Sequence, residues 1–130
     1  MVMTVYGENP DSEKGGVFYS AIWSWAPLWS IVNEIAPDLS AKVNSPYDNN
    51  GDGLDKEDSV ELARRIGRVL DSGKAKEVFD RGIDKLNQQT PESERRNYFV
   101  LTYNENPDEI VDDLAEFRDF LANCGGFRIC

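Results

Sequence analysis

The sequence predicts an α+β fold, with about four helices packed on a small sheet in one compact domain. The chain has 130 residues, of which 40% are hydrophobic and 29% are charged, and these values are typical of a globular domain. Apolar residues recur with the helical period in four segments, and short β-branched or aromatic runs lie near both ends. The composition is even along the chain and no repeat is found, so we expect residues 1–130 to form a single domain.

The N-terminal part is predicted to contain a strand and a helix. Residues 1–6 alternate weakly, as a strand does, and residues 7–16 carry the glycine, proline and asparagine of a loop. Residues 17–25 are rich in aromatic and β-branched side chains and fit either a strand or the lead-in to a helix. Pro27 suits the first turn of a helix, which should end before Pro37. The apolar face of this helix consists of Leu28, Ile31, Val32 and Ile35.

Two further helices are predicted in the middle of the chain. The first begins at Asp55 or Ser59 and ends at Leu70, and the second covers residues 74–87. Gly82 should weaken the second helix by about 1 kcal/mol relative to alanine. The inward-facing residues are Leu62, Ala63, Ile66, Val69 and Leu70 in the first helix, and Ala75, Val78, Phe79, Ile83 and Leu86 in the second.

The C-terminal part is predicted to contain two strands with a helix between them. Residues 98–103 and 127–129 fit strands that join the N-terminal strand in one sheet. Asn106 can cap the helix and Pro107 suits its first position, while the glycines at 125–126 end it. The apolar stripe of this helix consists of Ile110, Leu114, Phe117 and Leu121.

The charge of the chain restricts the classes of partner. Lys and Arg total 14 against 24 Asp and Glu, which gives a formal net charge of −10. Such a charge opposes direct binding to nucleic acid or to an anionic membrane, and it favours a basic protein partner or simple solubility. The longest apolar stretch, residues 21–35, is interrupted by polar residues, and residues 1–6 lack the pattern of a signal peptide. We therefore expect a cytoplasmic protein.

The absence of histidine from the sequence excludes several catalytic arrangements. No Ser-His-Asp triad, Cys-His pair or HExxH zinc site can form. Cys124 and Cys130 lack the CxxC spacing of a redox motif, and we expect them to be reduced thiols. These observations predict a protein that is not an enzyme.

Residues 48–59 match the first half of an EF-hand calcium loop. The ligands in this register would be the side chains of Asp48, Asn50, Asp52 and Ser59 and the carbonyl of Leu54. Gly53 occupies the sixth position, where the loop turns sharply. Lys56 at position nine and Ser59 at position twelve depart from the pattern, because a bidentate glutamate belongs at the twelfth position. The alternative is an ordinary turn that leads into a helix capped by Asp55 or Asp58.

Three tryptophans form the first candidate partner site. Trp23, Trp25 and Trp29 are spaced by two and by four residues, so a single core-facing stripe does not accommodate all of them. We predict that at least one ring is exposed and contacts a partner, since exposed aromatic side chains often anchor interfaces. The alternative is that all three rings pack in the core.

The acidic face of the last helix forms the second candidate partner site. Asp108, Asp112 and Glu116 follow one another at intervals of four residues and lie opposite the apolar stripe. Such a row of carboxylates could occupy a surface that normally binds a phosphate backbone on another protein. The alternative is a solvated helix face with no partner.

Two segments resemble a known group of proteins. Residues 23–29 are similar to the WxWRPLW-like opening of a group of short uncharacterised bacterial and phage proteins, and residues 117–130 resemble its FxxFLxxCGGFxI close. The Asn-Gly turn and the segment 63–70 resemble the middle of that group. Ala26 stands where the group usually has arginine. The resemblance implies a microbial or phage-borne cytoplasmic protein and carries no known activity.

Together these features predict a small, non-catalytic, acidic binding or regulatory protein that acts on a protein partner. A phage-type inhibitor of a host protein is one form of this role. The first alternative is a calcium-binding domain with its loop at residues 48–59. The second is a small enzyme that works through carboxylates.

Overall fold

The computed structural model of the protein describes residues 2–44, 46, 51–89 and 108–129. Within these ranges five α-helices pack against a three-stranded antiparallel sheet, which confirms the predicted α+β class. The strand predicted at residues 98–103 lies outside the described residues, as do Asn106 and Pro107.

The sheet contains one strand that the sequence left open. Its strands are β1 (Val2–Gly7), β2 (Val17–Ala21) and β3 (Phe127–Ile129), in the order β2-β1-β3. Val5 is paired with Phe18 on one side and with Ile129 on the other, and all three are buried. Because side chains alternate along a strand, this register places every second residue of each strand on the core side.

The helices follow the predicted order with shifted ends. They are α1 (Ile22–Ile35), α2 (Pro37–Ser40), α3 (Lys56–Ser72), α4 (Ala75–Gln89) and α5 (Asp108–Asn123), and a short 3₁₀ helix covers Glu13–Gly15. Asp55 caps α3, because its carboxylate accepts a 2.8 Å hydrogen bond from the amide of Asp58. Gly73 ends the helix with a φ of 73°.

Helix α1 begins earlier than predicted. It starts at Ile22, directly after β2, so that Pro27 lies inside the helix rather than in its first turn. The missing N–H of Pro27 removes one hydrogen bond from the helix. Burial compensates for this loss, since Leu28, Ile31 and Val32 are almost completely inaccessible to solvent.

Aromatic rings join the sheet to α1 and α5. The ring of Phe18 in β2 lies 5.0 Å from that of Phe117 in α5, measured between centroids. Phe117 in turn meets Trp25 edge to face at 5.6 Å, and Trp25 stacks on Trp29 at 5.5 Å. Such pairs add about 0.5–1.5 kcal/mol each beyond the area that they bury. This cluster is therefore the part of the core that holds the two layers together.

Gly82 allows helices α1 and α4 to approach closely. A Cβ atom at this position would lie 2.9 Å from the backbone oxygen of Ser30 in α1. The sequence predicted only that Gly82 weakens α4, and the structure adds that the glycine is required by the packing. Gly67 in α3 differs, because a Cβ there would meet only the Cδ of Arg118 at 3.6 Å, an ordinary contact.

We expect Gly82→Ala and Gly67→Ala to change stability in opposite directions. Both remove a helix-interior glycine, which favours the helix by about 1 kcal/mol. At Gly82 the added methyl group pushes against the Ser30 carbonyl, and overpacking of this kind costs about 1–3 kcal/mol. Urea denaturation should therefore show a loss of stability for Gly82→Ala and a gain for Gly67→Ala. An equal gain in both variants would contradict the close helix contact.

Candidate functional site

The outer face of the sheet exposes aromatic side chains. Tyr6 is 48% exposed, Tyr19 is 65% exposed and Val17 is 36% exposed. In the described part of the chain, the other large hydrophobic side chain with comparable exposure is Val60 on α3, at 46%. Three of these four side chains therefore lie on one surface. Exposed apolar residues are normally scattered singly over a protein, so this grouping is unusual.

The strand register makes this surface continuous. Tyr6 is paired with Val17 and Thr4 with Tyr19 in the ladder between β1 and β2. The amide of Gly7 donates to the carbonyl of Gly16 at 3.0 Å, so the next pair, Tyr6 with Val17, is of the non-hydrogen-bonded type. Side chains approach most closely in such pairs, and diagonal neighbours such as Tyr6 and Tyr19 lie about 7–8 Å apart. We call Thr4, Tyr6, Val17, Tyr19 and Arg128 the outer sheet face.

An ion pair lies at one border of the outer sheet face. Arg128 is paired with Tyr6 in the ladder between β1 and β3, and its Nε donates a 2.6 Å hydrogen bond to Oε1 of Glu8. Both side chains are largely exposed, so the pair contributes little to stability. It does neutralise the one cation on this face, so the aromatic surface itself carries no net charge.

A groove of about 390 Å³ adjoins the outer sheet face beside β2. It is lined by Lys14, Val17, Phe18, Glu116, Asp119 and Phe120. Lys14 pairs with Asp119 at 3.6 Å, whereas Glu116 forms no ion pair with any residue that the structure describes. The groove therefore combines apolar walls with one unpaired carboxylate.

The tryptophan prediction is wrong for two of the three rings. Trp25 and Trp29 are fully buried, so neither can present its ring to a partner. Nε1 of Trp25 donates to the carbonyl of Pro46 at 2.6 Å. Trp25 and Trp29 are four residues apart in α1, so both lie on the core side of the helix. The side chain of Trp23 lies outside the described part of the structure.

The acidic residues predicted on the last helix lie on its exposed side. Asp108 pairs with Lys76 at 3.3 Å, with both side chains largely in solvent. Asp112 and Glu116 are exposed, and among the described residues neither has an ion-pair partner. These two carboxylates are therefore available to a basic group, and their role in binding a partner stays a prediction.

The residues of the proposed calcium loop lie partly in strand-like pairing. Asp48 and Asn50 lie outside the described residues. The carbonyl of Asp52 accepts from the amide of Ile129 at 2.7 Å, and that of Leu54 accepts from the amide of Phe127 at 2.9 Å. A Cβ at Gly53 would overlap the Phe127 carbonyl, so contact with β3 alone explains this glycine.

The Asp52 carboxylate, another proposed ligand of that loop, already has hydrogen-bond partners. The Asp52 carboxylate accepts from the amides of Asn44, at 2.8 Å, and Gly53, at 3.1 Å. Ser59 is fully buried in α3. No group of three Cys, Asp or Glu side chains suited to a metal occurs within the residues described. Calcium binding at residues 48–59 is an alternative from the sequence that these hydrogen bonds do not favour.

Two reactive groups have environments that oppose catalysis. Cys124 is a fully buried free thiol whose pKa is raised by burial, and its Sγ donates to the carbonyl of Leu121 at 3.4 Å. Hydrogen bonds from Arg64 and Arg65 lower the pKa of Glu61 to about 2. A nucleophilic thiol needs a lowered pKa and a general acid needs a raised one, so neither group has the required shift.

Comparison of the chain with protein-family models, curated proteins and solved structures returned no match. Across the described ranges, no helix has the length and apolar character needed to cross a membrane. The surfaces described above are therefore the features of the chain that bear on its function.

The sequence prediction missed Tyr6, Val17 and Tyr19. The sequence did contain a signal, because side chains 17–20 would point alternately to solvent and to the core if these residues form a strand. Because residues 17–25 were assigned to either a strand or a helix, this alternation was not used to predict exposed side chains.

We expect calcium not to stabilise the protein, because Asp52 and Leu54 already have hydrogen-bond partners. A site with a dissociation constant of about 10⁻⁵ M would add about 2.7 kcal/mol to the free energy of unfolding when the calcium concentration is about 100 times that constant. The melting temperature would then rise by roughly 10 °C. Thermal unfolding with and without millimolar calcium measures this. A rise of that size that Asp48→Ala removes would establish the calcium site instead.

We expect Cys124 to resist thiol reagents in the folded protein. In the Cys130→Ser variant it is the single thiol, and burial should slow its reaction with Ellman's reagent at neutral pH. The rate should be at least about a thousandfold lower than in guanidinium chloride, since reaction would require unfolding. Similar rates in the two conditions would show that Cys124 is accessible.

Proposed function

We propose that this protein is a small, non-catalytic binding protein that docks a protein partner on its outer sheet face. The observation that carries the proposal is the clustering of Tyr6, Val17 and Tyr19 on one rigid surface. A helix or loop that covered this face would remove large apolar surface from water, at about 25 cal/mol per Å².

The tyrosines suit an interface for two physical reasons. Each ring offers a large apolar body together with a hydroxyl group that can remain hydrogen-bonded, so burial leaves no polar atom without a partner. A tyrosine also has few rotatable bonds, and little entropy is lost when it becomes ordered. Tyr6 and Tyr19 project from adjacent strands whose alternate residues, Met3 and Val5 among them, are fixed in the core.

The charge distribution supports a basic partner. The net charge of −10 raises the rate of encounter with positively charged surfaces and opposes encounter with phosphate backbones. Asp112 and Glu116 are the exposed carboxylates on α5 that have no ion pair among the described residues, and Glu116 lies in the groove next to Val17. An apolar patch with a basic border on the partner would complement this arrangement.

One form of this role is a phage-type inhibitor that covers a functional surface of a host protein. The outer sheet face is the surface with which such an inhibitor would make contact.

We expect removal of the exposed tyrosines to abolish capture of the partner. The immobilised protein is incubated with bacterial lysate at low salt, and the proteins retained by the natural sequence are compared with those retained by the Tyr6→Ser/Tyr19→Ser double variant. Interface tyrosines of this kind often contribute 2 kcal/mol or more, so the double variant should retain the partner at least about tenfold less.

Val60→Ser is the matched control, because it removes an exposed apolar side chain from α3 and leaves the sheet unchanged. It should retain the partner as well as the natural sequence does. Equal loss in Val60→Ser and in the tyrosine variant would contradict the proposal. Sedimentation that shows a dimer dispersed by the tyrosine substitutions would also contradict it, since the face would then bind a second copy of the chain.

A further inference from the structure

Strand β2 forms an edge of the sheet that has no paired strand among the residues that the structure describes. The order β2-β1-β3 makes β2 and β3 the outer strands. The edge of β3 is covered, because Gly51 donates to the carbonyl of Ile129 at 2.7 Å and Ile129 donates to that of Asp52 at 2.7 Å. Among the residues described, no strand or bridge pairs with the corresponding edge of β2.

The ladder identifies the backbone groups on this open edge. Gly7 and Gly16 form a hydrogen-bonded pair, and such pairs alternate along an antiparallel ladder. Phe18 therefore directs its N–H and carbonyl toward β1, whereas Val17 and Tyr19 direct theirs away from the sheet. A row of this kind is a template for an additional strand.

The groove beside β2 lies where the side chains of an added strand would go. Its apolar walls come from Val17, Phe18 and Phe120. Glu116 lines the same groove and is the carboxylate without an ion pair among the described residues, since Asp119 pairs with Lys14 at 3.6 Å. Backbone groups, an apolar recess and a free negative charge thus converge at one edge.

We propose that the edge of β2 accepts an extended, basic segment of the protein partner as a fourth strand, with a lysine or arginine directed at Glu116. This inference rests on the proposed function and assigns the recognition mode of the partner. The hydrogen bonds from Val17 and Tyr19 supply affinity that is independent of sequence, while Glu116 and the recess select a basic segment with apolar residues between its charges.

Charge favours this occupant over a second copy of the chain. Two copies would bring together chains that each carry a net charge of −10, and pairing of β2 with β2 would leave each Glu116 beside a second acidic chain. A basic segment would instead be attracted both by the net negative charge of the chain and by Glu116.

The test uses a fluorescein-labelled heptapeptide of alternating lysine and valine, with a glutamate–valine peptide as its matched control. Two further versions of the lysine peptide carry N-methyl groups on alternate residues, one on the odd and one on the even positions. Fluorescence anisotropy at 0.15 M salt, where charges beyond about 8 Å are screened, gives each dissociation constant. Methylation on the edge that faces β2 removes hydrogen bonds, so one methylated peptide should bind at least about fivefold more weakly than the other.

Protein variants locate the bound peptide. Glu116→Lys should weaken the lysine peptide at least about threefold, whereas Asp112→Lys, one turn away and outside the groove, should change it by less than about twofold. Val60→Ser, on α3 and away from the sheet, should leave the peptide affinity unchanged.

The outcomes separate the two proposals. Equal binding of the two methylated peptides, no preference for lysine over glutamate, or loss of binding in Val60→Ser would overturn strand addition at β2. Partner capture that still depends on Tyr6 and Tyr19 in that case would leave the proposed function in place. Sedimentation that shows the protein to be a dimer joined through β2 would also overturn the inference, because the occupant would be a second copy.

Discussion

The contact between Phe18 and Phe117 determines which side of β2 faces solvent. The two rings lie 5.0 Å apart, and Phe18 also contacts Trp25 at 6.4 Å and Phe120 at 6.0 Å. Because side chains alternate strictly along a strand, burial of Phe18 forces Val17 and Tyr19 to the opposite side. A shift of one residue in the register of β2 would bury Tyr19 and expose Phe18, and the contacts of Phe18 with the other aromatic rings would be lost. The outer sheet face is thus a consequence of how the core is packed.

The elements with a clear helical periodicity were predicted from the sequence. Strand β2 was not assigned, because residues 17–25 fit both the period of a strand and that of a helix. Helices α3 and α4 were predicted with ends close to those observed, because capping by Asp55 and termination at Gly73 are local effects. Residues 17–25 carry side chains that suit both a strand and a helix, and only the pairing of β2 with β1 decides between them. That pairing is non-local, so no window of sequence contains it.

The same limit applied to the candidate sites. Trp25 and Trp29 were predicted as part of a partner site because the spacing of the three tryptophans does not fit one core-facing stripe, yet both rings are buried in the core. The Asp-Asn-Gly composition that resembles a calcium loop is also typical of an ordinary turn. At Gly53 the steric demand comes from Phe127, which is 74 residues away in the sequence and invisible to a local motif.

Hydrogen exchange of individual amides in β2, followed by NMR, tests the central claim most directly. If packing of Phe18 fixes the strand with its outer edge open, the amide of Phe18 exchanges slowly and that of Tyr19 exchanges rapidly in the same strand. Equally slow exchange at Phe18 and Tyr19 would show that the edge of β2 is already covered, and the account of this surface as a docking site would be wrong.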